Sequence, residues 1–356
     1  MQKAQLVQQR IGNQRLSYTE FQRPVEVVRW LGAVQAQDFN GAKWALALRM
    51  VRATHETIAD AFNRGEILRT HVLRPTWHFV APEDIRWLLE LTAPRVNVRC
   101  GPNYRKYELD DATFKRSNKI LIKALQGGRH LTRAELKALL NRSGVAADDI
   151  VRLAHILLRA ELDGIVCSGP RIGKQFTYVL LEEHVAPAKP LPRDEALAKL
   201  TLTYFQSHGP ATVNDFVWWS GLTTADARKG LALAANDLNE ATMNGNAYWH
   251  ARSSRTNSRL QRSASQPDAY FLPAYDEYNV AYKNREPLAN VALLSPTVMI
   301  AGEIVGNWKP TTIKNSVTIT LTTRRPLRRA EKNAIARGAD RYAAYLTRPV
   351  RVLNSP

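Results

Sequence analysis

One order of local signals occurs three times before about residue 255, and it constrains the fold more than any other feature of the chain. The order is helix, short helix, helix, then two short strands joined by a tight turn. The second copy is the clearest. Residues 111–126 place apolar side chains at 114, 120, 121, 124 and 125, a helical stripe that Gly127-Gly128 stops. Thr132 and Glu135 form a capping box ahead of a short helix, and a third helix spans 148–161. Strands at 165–168 and 175–181 then flank the loop Gly169–Lys174. The third copy has a helix at 194–207, a capped short helix from Thr212 to Trp219, and a helix from Thr223 to about Ala235. Its hairpin turns at Asn244-Gly245, the strongest short hairpin signal. The first copy is looser. A helix starts at Pro24, another lies at 57–63, and strands 67–71 and 76–80 surround Val72–Pro75. Beyond residue 266 short strands and one closing helix, from about Arg328 to Leu346, replace this grammar.

Three helices followed by a hairpin is the layout of a winged helix-turn-helix. Its third helix commonly enters the DNA major groove and its wing contacts backbone or minor groove. The expected fold is mainly α with small β elements (α+β): three tandem winged helix-turn-helix units at 1–92, 108–186 and 190–255, then a C-terminal β-rich domain at 266–356. Charge supports a polyanionic partner. The chain carries 50 Lys and Arg against 32 Asp and Glu, a net charge of +18. Nucleic acid is the most abundant match. No basic helix shows the bulky apolar face that a membrane surface needs, and no apolar run approaches the ~18 residues of a membrane span. The N-terminus lacks the apolar core of a secretion signal, and two cysteines make no disulfide framework, so a reducing cytoplasm is expected. Double-stranded DNA is the expected partner, bound by a monomer with no protein partner.

Several familiar signatures are missing. Gly169–Lys174 is one residue too short for a P-loop and lacks the following Ser or Thr; Arg171 and Lys174 there suit a wing that touches phosphate. The eight histidines show no metal-ligand spacing, and no cofactor or metal is expected. Residues 251–267 hold Arg252, Arg255, Arg259 and Arg262 without any acid, a basic linker suited to DNA backbone. Three segments remain. In Gln35-Ala36-Gln37-Asp38, both glutamines project to one side if the chain is extended, and diverge if it is still helical. In Arg69–Val80, a hairpin would put Arg74 and Pro75 at its tip. Trp77 would then face opposite to His78. His78 is either a core histidine satisfied by backbone or a DNA contact beside Arg74 and Trp77. In Leu272–Arg285, Asp276 and Glu277 fit an internal salt bridge better than a DNA contact, because phosphates would repel them.

The combination of Gln-Ala-Gln-Asp, Leu73–Val80, Leu272–Glu286 and Gly306-Asn307-Trp308 resembles the AlkZ/YcaQ-like family of winged-helix DNA glycosylases over essentially the whole chain. The resemblance implies a C-shaped molecule with a barrel-like C-terminal domain. It also implies excision of alkylated purines, with unhooking of interstrand cross-links in some members. The family's catalytic Gln-x-Gln or Gln-x-Asp motif falls on Gln35 and Gln37. The chemistry is consistent with that. A purine alkylated at N3 or N7 is already cationic and leaves without protonation. What remains is to hold a water and stabilise an oxocarbenium-like sugar, which amide oxygens can do. A neutral amide would serve an uncharged base poorly. The competing expectation is a winged-helix regulator that binds DNA without catalysis. An RNA-directed protein is less favoured, since no aromatic RNP-like strand is present.

Overall fold

The computed structural model describes residues 1–252, 267–283 and 295–354. Up to Ala251 one order of elements recurs. Helix α1 (Lys3–Asn13) precedes the first copy: α2 (Pro24–Leu31), β1 (Val34–Gln35), α3 (Phe39–Ala47), α4 (His55–Asn63), β2 (Leu68–His71) and β3 (Trp77–Val80). Helix α5 (Ile85–Lys106) leads to the second: α6 (Asp111–Leu125), β4 (Leu131–Thr132), α7 (Arg133–Arg142), α8 (Ile150–Leu162), β5 (Val166–Ile172) and β6 (Gln175–Leu180). A single turn, α9 (Leu181–His184), precedes the third: α10 (Arg193–Ser207), α11 (Val213–Ser220), α12 (Thr224–Leu233), β7 (Leu238–Met243) and β8 (Asn246–Ala251). The short first strand closes on the return arm of each hairpin, in sheet orders β1-β3-β2 and β4-β6-β5. In the third copy that strand shrinks to a bridge between Ala211 and Trp249.

Local chemistry sets these elements. Thr132 Oγ1 accepts from the Glu135 amide while Glu135 accepts from the Thr132 amide; Thr212 and Asp215 do the same for α11. Asn244 and Gly245, at φ +51° and +74°, make the tight turn of β7–β8. The loop expected at 169–174 is mostly strand: β5 and β6 run to Ile172 and Gln175, with a register shift after Gly169. α5 crosses residue 92 although it contains Pro94 and Pro102. Each proline removes one helical hydrogen bond, and the long helix packs well enough to tolerate both.

The C-terminal region consists of β9 (Ala269–Leu272), α13 (Glu277–Val280), β10 (Thr297–Ile300), β11 (Glu303–Ile313), β12 (Ser316–Thr323), α14 (Arg329–Leu346) and β13 (Val350–Asn354). Its five strands form one open sheet, β13-β12-β11-β10-β9, with β13 parallel to β12. The barrel-like closure expected from the sequence is therefore absent among the described residues: β9 and β13 are opposite edges. α14 fills the role that closure would serve, by covering the sheet with Ala334, Ile335 and Tyr342.

Two cores hold the molecule together. One spans the second and third copies and takes Val72 and Val80 from the first hairpin. The other joins the first copy to the C-terminal sheet, through Val28, Leu46, Phe79, Phe271 and Ile319. The first hairpin therefore contributes to both, which is why Phe79 and Val80, on opposite faces of β3, are both fully buried. No helix among the described residues is long and apolar enough to cross a membrane.

Candidate active site and nucleic-acid interface

Gly32, at φ +80°, ends α2 and turns the chain into β1. Gln35 then lies opposite His78 on β3. The pairing extends one residue further, with the Ala36 amide donating to Trp77 O at 2.7 Å. The chain is thus extended across the motif. Asp38 does not join the glutamines, because its carboxylate caps α3 and accepts from the Asn40 and Gly41 amides, each at 3.1 Å.

The two glutamines have different surroundings. Gln35 is 6% exposed, and among the described residues no donor reaches its buried Oε1. Gln37 is exposed, and its Oε1 accepts from the Trp77 amide at 3.4 Å. Directly opposed residues share one face of a sheet, so Gln35 and His78 point the same way. The His78 ring is buried, with Nδ1 2.9 Å from Thr76 O. That contact assigns the proton to Nδ1 and a lone pair to Nε2. Among the described residues no donor reaches Nε2 either. Burial first, and then the Arg74 charge, pushes the His78 pKa down to about 3, so the ring is neutral at physiological pH. Two buried acceptors on one cross-strand pair thus lack donors. Each costs roughly 1–3 kcal/mol unless water or a ligand supplies one.

Glu277 braces this pair. Its Oε1 accepts from the Gln35 amide at 2.9 Å and its Oε2 from Trp219 Nε1 at 2.9 Å, with His208 Nε2 3.4 Å from the same oxygen. Burial alone would push this carboxyl up. The His208, Gln35 and Arg74 interactions outweigh burial and hold it at about 2. Its neighbour Asp276 is the internal salt bridge expected from the sequence, bonded through both oxygens to buried Arg49 at 2.9 Å each. Glu277, by contrast, reaches a backbone 242 residues away, and nothing local could reveal that contact.

The basic candidates fall in different places. Arg74 is half-buried at the tip of the first hairpin, and its charge acts on both His78 and Glu277. Gly221, at φ +71°, packs against the Leu73 carbonyl beside it, a space that no Cβ could share. Trp77 and Lys174 border one groove between the first and second copies. Arg171 does not project from the wing. Its amide donates to Asn63 Oδ1 at 3.0 Å, and its guanidinium lies 5.0 Å from the ring centroids of Phe39 and Phe176. Arg252 is exposed just after β8, whereas Arg255, Arg259 and Arg262 lie outside the described residues. The third helices differ from the generic picture as well. Glu161 of α8 is 1% exposed and accepts from the His71 amide at 2.8 Å, so that face of α8 holds the first hairpin. α4 carries Glu56 and Asp60, which suit phosphate poorly. Among the described residues no group of three His, Cys, Asp or Glu side chains could hold a metal ion.

Three comparisons bear on this site. The family model described as DNA glycosylase AlkZ-like matches residues 28–345. An interstrand DNA cross-link repair glycosylase of Streptomyces sahachiroi is 25% identical over 341 residues, covering 87% of this chain and 88% of that protein. The solved structure of the Streptomyces sahachiroi DNA glycosylase AlkZ superposes with a TM-score of 0.81 at 22% identity, over 99% of this chain and all of that one. That likeness speaks to the fold.

Proposed function

Because the chain belongs to the AlkZ-like DNA glycosylase family, we propose that it is a monofunctional DNA-repair glycosylase, hydrolysing the N-glycosidic bond of cationic alkylated purines in duplex DNA at Gln35 and Gln37. The observation that carries this reading is the pair of donorless acceptors, Gln35 Oε1 and His78 Nε2. A water donating to both would be held by two fixed acceptors, with an oxygen lone pair left to attack. As the C1′–N bond lengthens, its electron pair goes to the purine, whose positive charge it neutralises. The sugar becomes oxocarbenium-like, and the amide oxygens of Gln35 and Gln37 stabilise it, Gln37 with the lone pair that the Trp77 amide leaves free. Water oxygen then bonds to C1′ and releases a proton. Even a weakly basic, neutral imidazole accepts that proton, because a protonated hydroxyl is a far stronger acid. The charged Glu277 holds the Gln35 backbone, and hence the amide, in place.

The repeated segments are read as three winged helices, at 1–92, 108–186 and 190–255, ahead of the C-terminal sheet domain. They present duplex DNA to the first hairpin as a monomer in the cytoplasm. Similarity to the Streptomyces sahachiroi protein supports interstrand cross-links as a further substrate. The test is a pair of duplexes, one with N7-methylguanine and one with neutral hypoxanthine. Release of the first at least 100-fold faster is expected. Equal rates would refute the requirement for a cationic base, and release of neither would refute the activity.

A further inference from the structure

The peptide between Thr76 and Trp77 touches two of the site residues. Its carbonyl accepts from His78 Nδ1 at 2.9 Å, and its amide donates to Gln37 Oε1 at 3.4 Å. The Thr76 hydroxyl stands beside this peptide. Its Oγ1 is buried, and among the described residues it has no hydrogen-bond partner. We infer that this hydroxyl donates to N3 of the departing purine, and that it favours bases alkylated at N7 over bases alkylated at N3. The inference rests on the reading of Gln35 Oε1 and His78 Nε2 as the water site, and it adds what meets the leaving base.

Position supports the assignment. The Trp77 ring lies 4.1 Å from the Arg69 guanidinium, on one face of the first sheet. Alternation along the strand then puts Thr76 with His78 on the other face, where Gln35 opposes His78. Thr76 is half-exposed although its oxygen is buried, so it stands nearer solvent than buried His78. Residues two apart on one face of a strand are separated by about 6.6 Å. That separation leaves room for the sugar carbon between the water and the hydroxyl. Buried polar side chains that serve the fold are hydrogen-bonded within it, and this one is not.

Chemistry supports it as well. The water site is built from acceptors, whereas a hydroxyl can donate. As the C1′–N9 bond lengthens, its electron pair flows into the purine, and N3 beside that bond gains electron density. A donor there stabilises the departing base, and no proton is transferred. N3 lies on the minor-groove edge of the pair. A purine alkylated at N7 keeps the N3 lone pair. In a purine alkylated at N3 the alkyl group has taken it, and the hydroxyl has nothing to donate to.

The test is single-turnover release by wild type, Thr76→Val and Thr76→Ser from two duplexes. One contains N7-methylguanine and the other its 3-deaza analogue, in which C–H replaces N3. Valine keeps the shape of threonine and removes the hydroxyl. Wild type should outpace Thr76→Val about tenfold on N7-methylguanine, the rate equivalent of one hydrogen bond. On the analogue the two should match, and Thr76→Ser should follow wild type on both. Thr76→Val should melt no lower than wild type, because no protein contact is lost. Equal slowing of Thr76→Val on both duplexes, its full rate on N7-methylguanine, or a lower melting temperature would overturn the assignment. Gln35→Ala separates the two readings, since it should be slow on both duplexes. A wild-type rate in Gln35→Ala would sink the water site. Loss there without loss in Thr76→Val would sink the role of Thr76 alone.

Discussion

In the proposed mechanism a single amide oxygen, on the two-residue strand β1, holds the attacking water. Gln35 and Gln37 stand out in the sequence through the resemblance of Gln-Ala-Gln-Asp to the family motif, not through their spacing alone. Their unequal burial is not legible, because β1 is too short to leave an alternating pattern. His78 could be read either as a core side chain or as a DNA contact. The structure gives it a core position with an unsatisfied Nε2. Glu277 was invisible as a brace, since its partners Gln35 and Trp219 come from distant segments. It also makes stability sensitive to acid. Its folded pKa of about 2 lies below the 4.5 of an ordinary glutamate, so its contribution is complete above about 4.5 and is lost as pH falls toward 2. In urea titrations from pH 6 to 2.5, Glu277→Gln should be less stable than wild type at pH 6, and the gap should narrow below pH 4.5. A gap that is constant with pH would show that the carboxylate is not held ionised by the fold.

At the scale of elements, capping boxes and turn glycines were readable and long-range pairings were not. Thr132–Glu135, Thr212–Asp215 and Asn244-Gly245 each act within a few residues, so sequence and structure agree on them. α5 was hidden by Pro94 and Pro102, and β13 by its parallel pairing with a strand beyond the intervening α14. The least legible element contact is the brace on the first hairpin. Gly221 closes α11 and abuts the Leu73 carbonyl next to Arg74, so it needs both its positive φ and its missing side chain. Gly221→Ala should cost more than ~1 kcal/mol in thermal unfolding. It should also slow excision, because the displaced tip carries Arg74. Wild-type stability in this variant would show that the two backbones can separate freely.

Across the whole molecule, two cores meet at the first hairpin, and that joins the site to every other part of the chain. The charge of +18 is a count the sequence carries, but the places its cations occupy depend on packing. Arg171 packs on aromatic rings and Arg49 on Asp276, so neither is a simple phosphate contact. The log of duplex affinity should fall linearly with the log of salt concentration, with a slope of roughly −0.9 per phosphate neutralised. Replacing Arg252, Arg255, Arg259 and Arg262 together with Ala should flatten that slope by up to about four such increments. An unchanged slope would assign those arginines to solubility.

The central claim is that neutral amides, not a carboxylate, direct the water. It is tested most directly by single-turnover release of N7-methylguanine from duplex DNA by wild type, Gln35→Ala and Gln37→Asp, with the affinity of each protein measured alongside. Gln35→Ala should lose roughly 10²–10³ in rate, the loss expected for one preorganised polar group, while affinity changes little. Gln37→Asp should keep the rate or extend it to neutral lesions, because a carboxylate there stabilises the sugar cation and can accept a proton. Wild-type rates in Gln35→Ala, or a loss explained entirely by weaker DNA binding, would contradict the account.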